Sequence, residues 1–119
     1  MTAETPLTIT DIATAFSRHE FAVAEPYIAE DIEWTLVGTA TLVGKAEVIA
    51  ACEQAALDLA EVSTEFSRFS VVANDEAAAV ETVAEYVDAA GDKSTVASSD
   101  FYDFVDGRLT GIRSYNLEI

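Results

Sequence analysis

The last twenty residues, Asp100-Phe-Tyr-Asp-Phe-Val-Asp-Gly-Arg-Leu-Thr-Gly-Ile-Arg-Ser-Tyr-Asn-Leu-Glu-Ile119, decide how the C-terminal half of the chain folds. Two runs rich in aromatic and β-branched residues flank Asp106-Gly107. An Asp-Gly pair tolerates the positive φ angles that a tight hairpin turn requires. The stretch therefore predicts a terminal β-hairpin.

Two further turn signals, Asn74-Asp75 and Ala90-Gly-Asp92, divide the residues before the hairpin into strands. The predicted strands are residues 62–73, 77–89, 94–105 and 109–119. The alanine-rich second of these would also suit a helix, but its β-branched Val80, Thr82 and Val83 favour a strand. This half of the chain predicts an antiparallel meander.

The N-terminal half has helical periodicity. Thr8 and Asp11 have the spacing of a capping box, which predicts a first helix over about residues 8–19. Pro26 should shorten or kink a second helix that starts near Phe21. Residues 32–37 alternate as a strand closed by Gly38. A third helix opens at Gly44, with apolar residues at helical spacing: Val48, Ile49, Cys52, Ala56 and Leu59.

The predicted order is α-α-β-α-β-β-β-β, which is typical of an α+β fold. We expect a cone-shaped α+β barrel, with three helices on one face of a strongly curved antiparallel sheet that wraps around the third helix. A length of 119 residues predicts one domain spanning residues 1–119.

Composition narrows the possible partners. Half of the residues are apolar, and the net charge of −16 would repel nucleic acid and anionic membranes. The lone cysteine, Cys52, predicts a buried apolar residue and a reducing compartment. The first 25 residues do not resemble a secretory signal, and no apolar run is long enough to span a membrane. We expect a soluble, cytoplasmic protein.

The order of elements, the Asp31, Trp34 and Gly38 pattern, Gly44 and the terminal hairpin together resemble the nuclear transport factor 2-like superfamily. Within it, the chain is most similar to SnoaL-like polyketide cyclases and ketosteroid-isomerase relatives. The resemblance implies a small pocket between the third helix and the sheet. It also implies a homodimer formed through the outer face of the sheet.

The catalytic residues of these relatives are missing from the matching positions. Thr35 or Leu36 stands where the isomerases place their base, and Asp11 and Ala97 or Ser98 stand where they place the groups that hold the oxyanion. The cyclases and epoxide hydrolases use an Asp on the last strand, where this chain has Asn116 or Leu117. The hydrolases pair it with an Arg two residues before an Asp on the preceding strand; Asp100 matches that Asp, but Ser98 stands in the Arg position.

Asp100 is the remaining candidate for catalysis. It alternates with Val96, Ser98, Tyr102 and Phe104, so an inward face would place a carboxylate among aromatic rings, able to act as an acid or base. An outward face would leave it solvated.

The candidate ligand-binding residues are Trp34, Tyr86, Tyr102, Arg113 and Tyr115. Each tyrosine either presents its hydroxyl to a ligand or only contributes its ring to the pocket wall. Trp34 either lines the pocket or packs in the core. Arg113 shares a predicted face with Leu109, and either holds a ligand carboxylate or pairs with Asp100.

The only histidine, His19, lies in a polar link between helices, where we expect exposure to solvent. We expect no metal site and no nucleotide cofactor, because the sequence has no clustered ligands and no phosphate-binding loop. Two functions remain open, and the missing family acids favour a pocket protein that binds a small apolar molecule, with catalysis left open. One is a cofactor-independent isomerase, cyclase or hydratase that uses Asp100; the other is a non-catalytic dimeric module that binds a small apolar molecule or another protein.

Overall fold

The computed structural model of the chain describes residues 6–119. The predicted α+β class is confirmed, and the predicted helices and long strands are all present. A 3-10 turn precedes the first strand, and a short strand that we did not predict follows it. The elements are α1 (Ile9–Ser17), α2 (Phe21–Ala24), the 3-10 turn (Glu25–Tyr27), β1 (Ile28–Leu36), β2 (Ala40–Val43), α3 (Lys45–Leu59), β3 (Ser63–Ala73), β4 (Ala77–Val87), β5 (Lys93–Val105) and β6 (Arg108–Glu118).

Helix α1 begins at the predicted capping box. The hydroxyl of Thr8 accepts a hydrogen bond from the backbone N–H of Asp11 at 3.1 Å, and the Asp11 carboxylate accepts one from the backbone N–H of Thr8 at 3.1 Å. The two bonds satisfy N–H groups that have no partner inside a helix. Helix α2 is short as predicted, because Pro26 lies in the 3-10 turn that follows it.

The six strands form one curved sheet in the order β2-β1-β6-β5-β4-β3, open between its edge strands β2 and β3. All neighbours are antiparallel except β1 and β6, which run parallel, with Trp34 beside Ile112. This pair corrects the prediction of a purely antiparallel sheet. The last strand of the meander returns beside β1, and no local sequence signal encodes a pairing between such distant segments.

The terminal hairpin is confirmed, with φ angles of 50° at Asp106 and 77° at Gly107. A bulge interrupts the register between β5 and β6, so that Leu109 pairs with Phe104 but Gly111 pairs with Asp103. The extra residue shifts the alternation of β6 by one position. As a result Leu109 is buried and Arg113 is exposed, which corrects the prediction that the two share a face.

Both long helices cover the concave face of the sheet. Helix α1 lies against β3, β4 and β5, and α3 lies against β1 and β2. The sheet therefore encloses α1 as well as the third helix that we expected it to wrap. Cys52 is a buried free thiol, as predicted. None of the described helices is long and apolar enough to cross a membrane. The core contains Ile12, Phe16, Ile28, Ile32, Val48, Val80, Tyr102, Phe104, Leu109 and Ile112.

Candidate functional site

A cavity of about 370 Å³ opens between α1, α3 and the concave face of the sheet. Its volume lies in the range of small-molecule sites, which are mostly apolar with a few convergent polar groups. The apolar lining comprises Phe16, Phe21, Trp34, Leu36, Ala55, Leu59 and Val96; the polar lining comprises Ser17, His19, Thr82, Tyr86, Ser98, Asp100, Ser114 and Asn116.

Asp100 faces this cavity. The residues at alternate positions of β5 point to the concave side of the sheet, where Val96 and Ser98 line the cavity and Tyr102 is buried. The outward, solvated alternative for Asp100 is therefore wrong. The side chain is the only carboxylate among the described lining residues.

Ser17, the last residue of α1, connects Asp100 to Tyr102. The Ser17 hydroxyl donates to Asp100 Oδ2 at 2.9 Å and lies 2.6 Å from the Tyr102 hydroxyl. Because a serine has one hydroxyl hydrogen and an ionised carboxylate only accepts, Tyr102 is the donor to Ser17. Burial, and then the charge of Asp100, raise the pKa of Tyr102 well above its usual value, so this hydroxyl keeps its proton. Tyr102 orients Asp100 from inside the core and does not line the cavity.

His19 and Tyr86 form a second polar pair in the cavity. His19 Nε2 lies 3.0 Å from the Tyr86 hydroxyl. The imidazole is half-buried among Phe21, Phe66 and Tyr86, so the expected solvent exposure of His19 is wrong. Burial lowers the pKa of His19, and the charge of Asp100 partly opposes that shift. Burial, and then Asp100, raise the pKa of Tyr86. At neutral pH the pair is a neutral imidazole beside a protonated phenol.

The end of α1 places the His19 side chain in the cavity. The backbone N–H of His19 donates to Phe16 O at 3.0 Å, and that of Glu20 donates to Ala15 O at 2.9 Å. This is the Schellman arrangement, in which the first residue after the helix cap takes a left-handed conformation. His19 has a φ of 67°, at a position where glycine is the usual residue.

Trp34 belongs to both the cavity wall and the packed interior. Its indole N–H donates to the Ser114 hydroxyl at 3.0 Å, and its ring meets Phe16 edge to face at 5.1 Å. Ser114 is buried on β6, the parallel neighbour of β1. The two alternatives for Trp34, pocket and core, are thus both realised.

Arg113 and Tyr115 lie on the opposite, convex face of the sheet. Arg113 forms an ion pair with Asp103, not with Asp100, and this hydrogen bond raises the pKa of Arg113. Tyr115 packs edge to face on Phe101 at 5.8 Å. No lysine or arginine lines the cavity within residues 6–119, so its described surface offers no cation to a ligand carboxylate.

Sequence reasoning missed Ser17 and Ser114 as cavity residues and misplaced His19. Ser17 follows Ala13 by one helical turn on the buried face of α1, so a polar residue in an apolar stripe was the available signal. Asn116 lies at the cavity beside Ser98, whose hydroxyl donates to it at 2.8 Å. Among the described residues, no three His, Cys, Asp or Glu side chains lie close enough together to hold a metal ion.

A model of the SnoaL-like domain family matches residues 9–112. The chain belongs to the SnoaL-like domain family. No curated protein sequence matches the chain significantly.

Solved structures similar to this SnoaL-like domain share its fold. An NTF2-like protein of unknown function from Cytophaga hutchinsonii has a TM-score of 0.79 and 27% identity, covering 89% of this chain and 93% of that one. A proposed polyketide cyclase from Xanthomonas campestris has a TM-score of 0.67 and 24% identity, covering 87% and 83%. An LEH-like epoxide hydrolase from M. tuberculosis has a TM-score of 0.65 and 16% identity, covering 87% and 74%.

Proposed function

We propose that this SnoaL-like domain binds a small, mostly apolar molecule in the cavity, and that Asp100 acts on it as a general base without a cofactor. The reaction class is removal of a proton from carbon beside an electron-withdrawing group, as in an isomerisation or cyclisation. Two of the similar solved structures are named as enzymes, one as a proposed polyketide cyclase and one as an epoxide hydrolase. These names support the proposal that this domain also carries out acid–base chemistry.

The observation that carries the proposal is the Asp100 carboxylate in a cavity lined by aromatic and aliphatic side chains together with neutral polar groups. Oδ2 accepts the hydrogen bond from Ser17, while none of the hydrogen bonds formed by residues 6–119 reaches Oδ1. A base needs one oxygen free to take a proton and a fixed orientation to reach it. The two hydrogen bonds that connect Tyr102, Ser17 and Asp100 supply that orientation.

The surrounding groups support a neutral substrate. His19 is neutral and the described lining holds no lysine or arginine, so Asp100 provides the only charge among the described residues of the cavity. An anionic ligand would meet a carboxylate with no cation to offset it. The apolar walls favour a compact ring system.

The test uses 5-nitrobenzisoxazole, a neutral bicyclic molecule whose ring C–H is removed by carboxylates. The carboxylate takes the proton, the electron pair of the C–H bond forms the third bond of a nitrile, and the N–O bond breaks, so that the opened ring becomes a coloured cyanophenolate. We expect saturable turnover by the wild type and a loss of roughly 100-fold or more in kcat for Asp100→Asn, because the amide cannot accept the proton. The affinity for 5-nitroindazole, which is not turned over, should be the same for Asp100→Asn as for the wild type when measured by calorimetry.

Asp103→Asn is the matched control. It removes the same charge from the same strand, but Asp103 lies on the convex face, where it pairs with Arg113. Its turnover should equal that of the wild type. Equal turnover by Asp100→Asn and the wild type would refute the base assignment, whereas failure of the wild type to bind the indazole would refute the pocket assignment.

We also propose that the protein works as a homodimer in the cytoplasm. Five large apolar side chains on β3, β5 and β6 are exposed, and a lone free cysteine suits a reducing compartment. The apolar side chains are Val72, Phe101, Val105, Tyr115 and Leu117.

A further inference from the structure

We propose that Tyr86 is a second catalytic residue, whose hydroxyl donates a hydrogen bond to the substrate oxygen that becomes negative as Asp100 takes the proton. His19 is the positioning residue that holds Tyr86 for this purpose. The inference rests on the proposed function. It assigns the protein group that forms a hydrogen bond to the substrate oxygen on which the negative charge develops.

The backbone of His19 is the first observation. Six described residues have positive φ, and four of them are glycines: Gly38, Gly44, Gly91 and Gly107. The other two are Asp106, in a hairpin turn that suits aspartate, and His19. A residue with a Cβ pays conformational energy in the left-handed region, so glycine would serve the helix end better than histidine. Strain of this kind persists only where the surrounding structure holds the residue in place, and such residues cluster at functional sites.

The side-chain contacts of α1 identify that role. Ser17 and His19 are two residues apart at the helix end, and Ser17 contacts Asp100 while His19 contacts Tyr86. Along the sheet the two targets are separated, since Asp100 pairs with Val80, six residues before Tyr86 on β4. One helix end therefore anchors two functional groups that arise from distant positions on neighbouring strands.

The tautomer of His19 decides the direction of its hydrogen bond to Tyr86. In this proposal His19 is the tautomer protonated at Nε2, in which the ring donates to the oxygen of Tyr86 and leaves the phenol hydrogen free to point into the cavity. The raised pKa of Tyr86 keeps that hydrogen in place at neutral pH. A donor aimed at the developing charge stabilises the transition state more than the ground state.

The experiment compares two substrates, 5-nitrobenzisoxazole and unsubstituted benzisoxazole, whose leaving phenolates differ in basicity. Tyr86→Phe should lower kcat by roughly 10- to 100-fold for the unsubstituted compound and by less for the nitro compound, because the more basic oxygen depends more on a hydrogen bond. KM should change little. A purely structural role for Tyr86 would slow both substrates by the same factor.

His19→Gly tests the positioning role, because glycine suits the left-handed backbone and removes the imidazole. It should reproduce the unequal loss of kcat seen for Tyr86→Phe. His19→Asn is the second variant, since asparagine also tolerates this conformation and keeps the test valid if the glycine variant does not fold. Asp106→Gly is the matched control: it relieves the other non-glycine positive φ, in a turn outside the cavity, and should leave kcat unchanged.

The outcomes separate the two proposals. Loss of turnover in Asp100→Asn with unchanged rates in Tyr86→Phe and His19→Gly would overturn this inference and leave the general base in place. An equal slowing of both substrates would also overturn it, because the hydroxyl would then not bear on the leaving oxygen. Full turnover by Asp100→Asn would refute the proposed function itself.

Discussion

The Asp100 carboxylate shares its cavity with an imidazole, the side chain that most readily becomes its counter-ion. Two opposing effects act on His19: burial disfavours the imidazolium and lowers its pKa, while the nearby carboxylate favours it. Burial is the larger effect, so His19 stays neutral near pH 7. The charge of Asp100 is therefore not neutralised within the cavity, and it remains available to a bound molecule.

The titration of His19 tests this balance. His19 is the only histidine of the chain, so its imidazole C–H resonances are identified by NMR without assignment. We expect its pKa to lie below the usual 6.5, and to fall further in Asp100→Asn because the attraction that favours the charged ring is lost. An unchanged or higher pKa in Asp100→Asn would show that the two groups do not interact.

The same shift affects stability. Because the folded pKa of His19 lies below its unfolded value, the unfolded chain binds more protons between the two values. The contribution of His19 is thus fully retained above about pH 6.5 and is lost as the pH falls through the folded pKa. Urea unfolding should show a smaller loss of free energy between about pH 7.5 and about pH 5.5 for His19→Asn than for the wild type.

At the residue scale, the sequence predicts side chains whose direction follows from simple alternation. Asp100 is placed correctly because β5 keeps its period of two through the cavity. Arg113 is misplaced relative to Leu109 because a bulge adds one residue to β6, and a bulge has no clear sequence signature here. The polar residues around His19 in the sequence favour exposure to solvent. In the structure, its ring points inward because His19 lies one residue past the cap of α1 in a left-handed conformation.

At the scale of elements, turn chemistry made the four long strands predictable. Asp106-Gly107 fixes the last hairpin locally, and the strand ends agree closely with the turn signals. β2 escaped prediction because it has four mostly exposed residues and no alternation of polarity. The parallel pairing of β1 with β6 escaped for another reason: it is a long-range contact that depends on the curvature of the whole sheet.

Helix α3 offers a test of packing at this scale. Its predicted apolar face is only partly realised: Val48 and Cys52 are buried, while Ala56 is exposed. Burial raises the pKa of Cys52 to about 12, with smaller contributions from the charges of Glu25 and Glu53. At about pH 8 roughly one thiol in ten thousand would be ionised, so the native protein should not react with a disulfide reagent such as dithionitrobenzoate.

Unfolding in guanidinium provides the control for this thiol. The denatured chain should react rapidly and release one equivalent, because the chain has a single cysteine. Rapid reaction of the native protein would contradict the packing of α3 against β1, and a slow native reaction would measure how often α3 opens.

At the scale of the whole molecule, the sheet has one face that its helices cover and one that they leave open. Phe101 and Tyr115 pack together on the open face, and Leu117 is 65% exposed nearby on β6. Exposed apolar side chains on a sheet commonly form an interface between subunits. The charge of −16 on each chain opposes such an association, so the dimer should be stronger in moderate salt than in low salt.

The predicted dimer is tested by two matched substitutions. Leu117→Arg places a charge on the open face of the sheet, whereas Leu57→Arg makes the same change at a leucine that is 71% exposed on α3. We expect light scattering of the wild type and Leu57→Arg to give the dimer mass at micromolar concentration, and Leu117→Arg to weaken the dimer by about tenfold or more.

Because both substitutions change the net charge by the same amount, a difference between them reports the place of the charge and not its long-range repulsion. If Leu57→Arg dissociated the dimer and Leu117→Arg did not, the interface would lie on α3 and not on the sheet. A monomer mass for the wild type in moderate salt would refute the dimer altogether. The cavity opens on the concave side of the same sheet, so monomeric Leu117→Arg should still turn over 5-nitrobenzisoxazole if the subunits function independently.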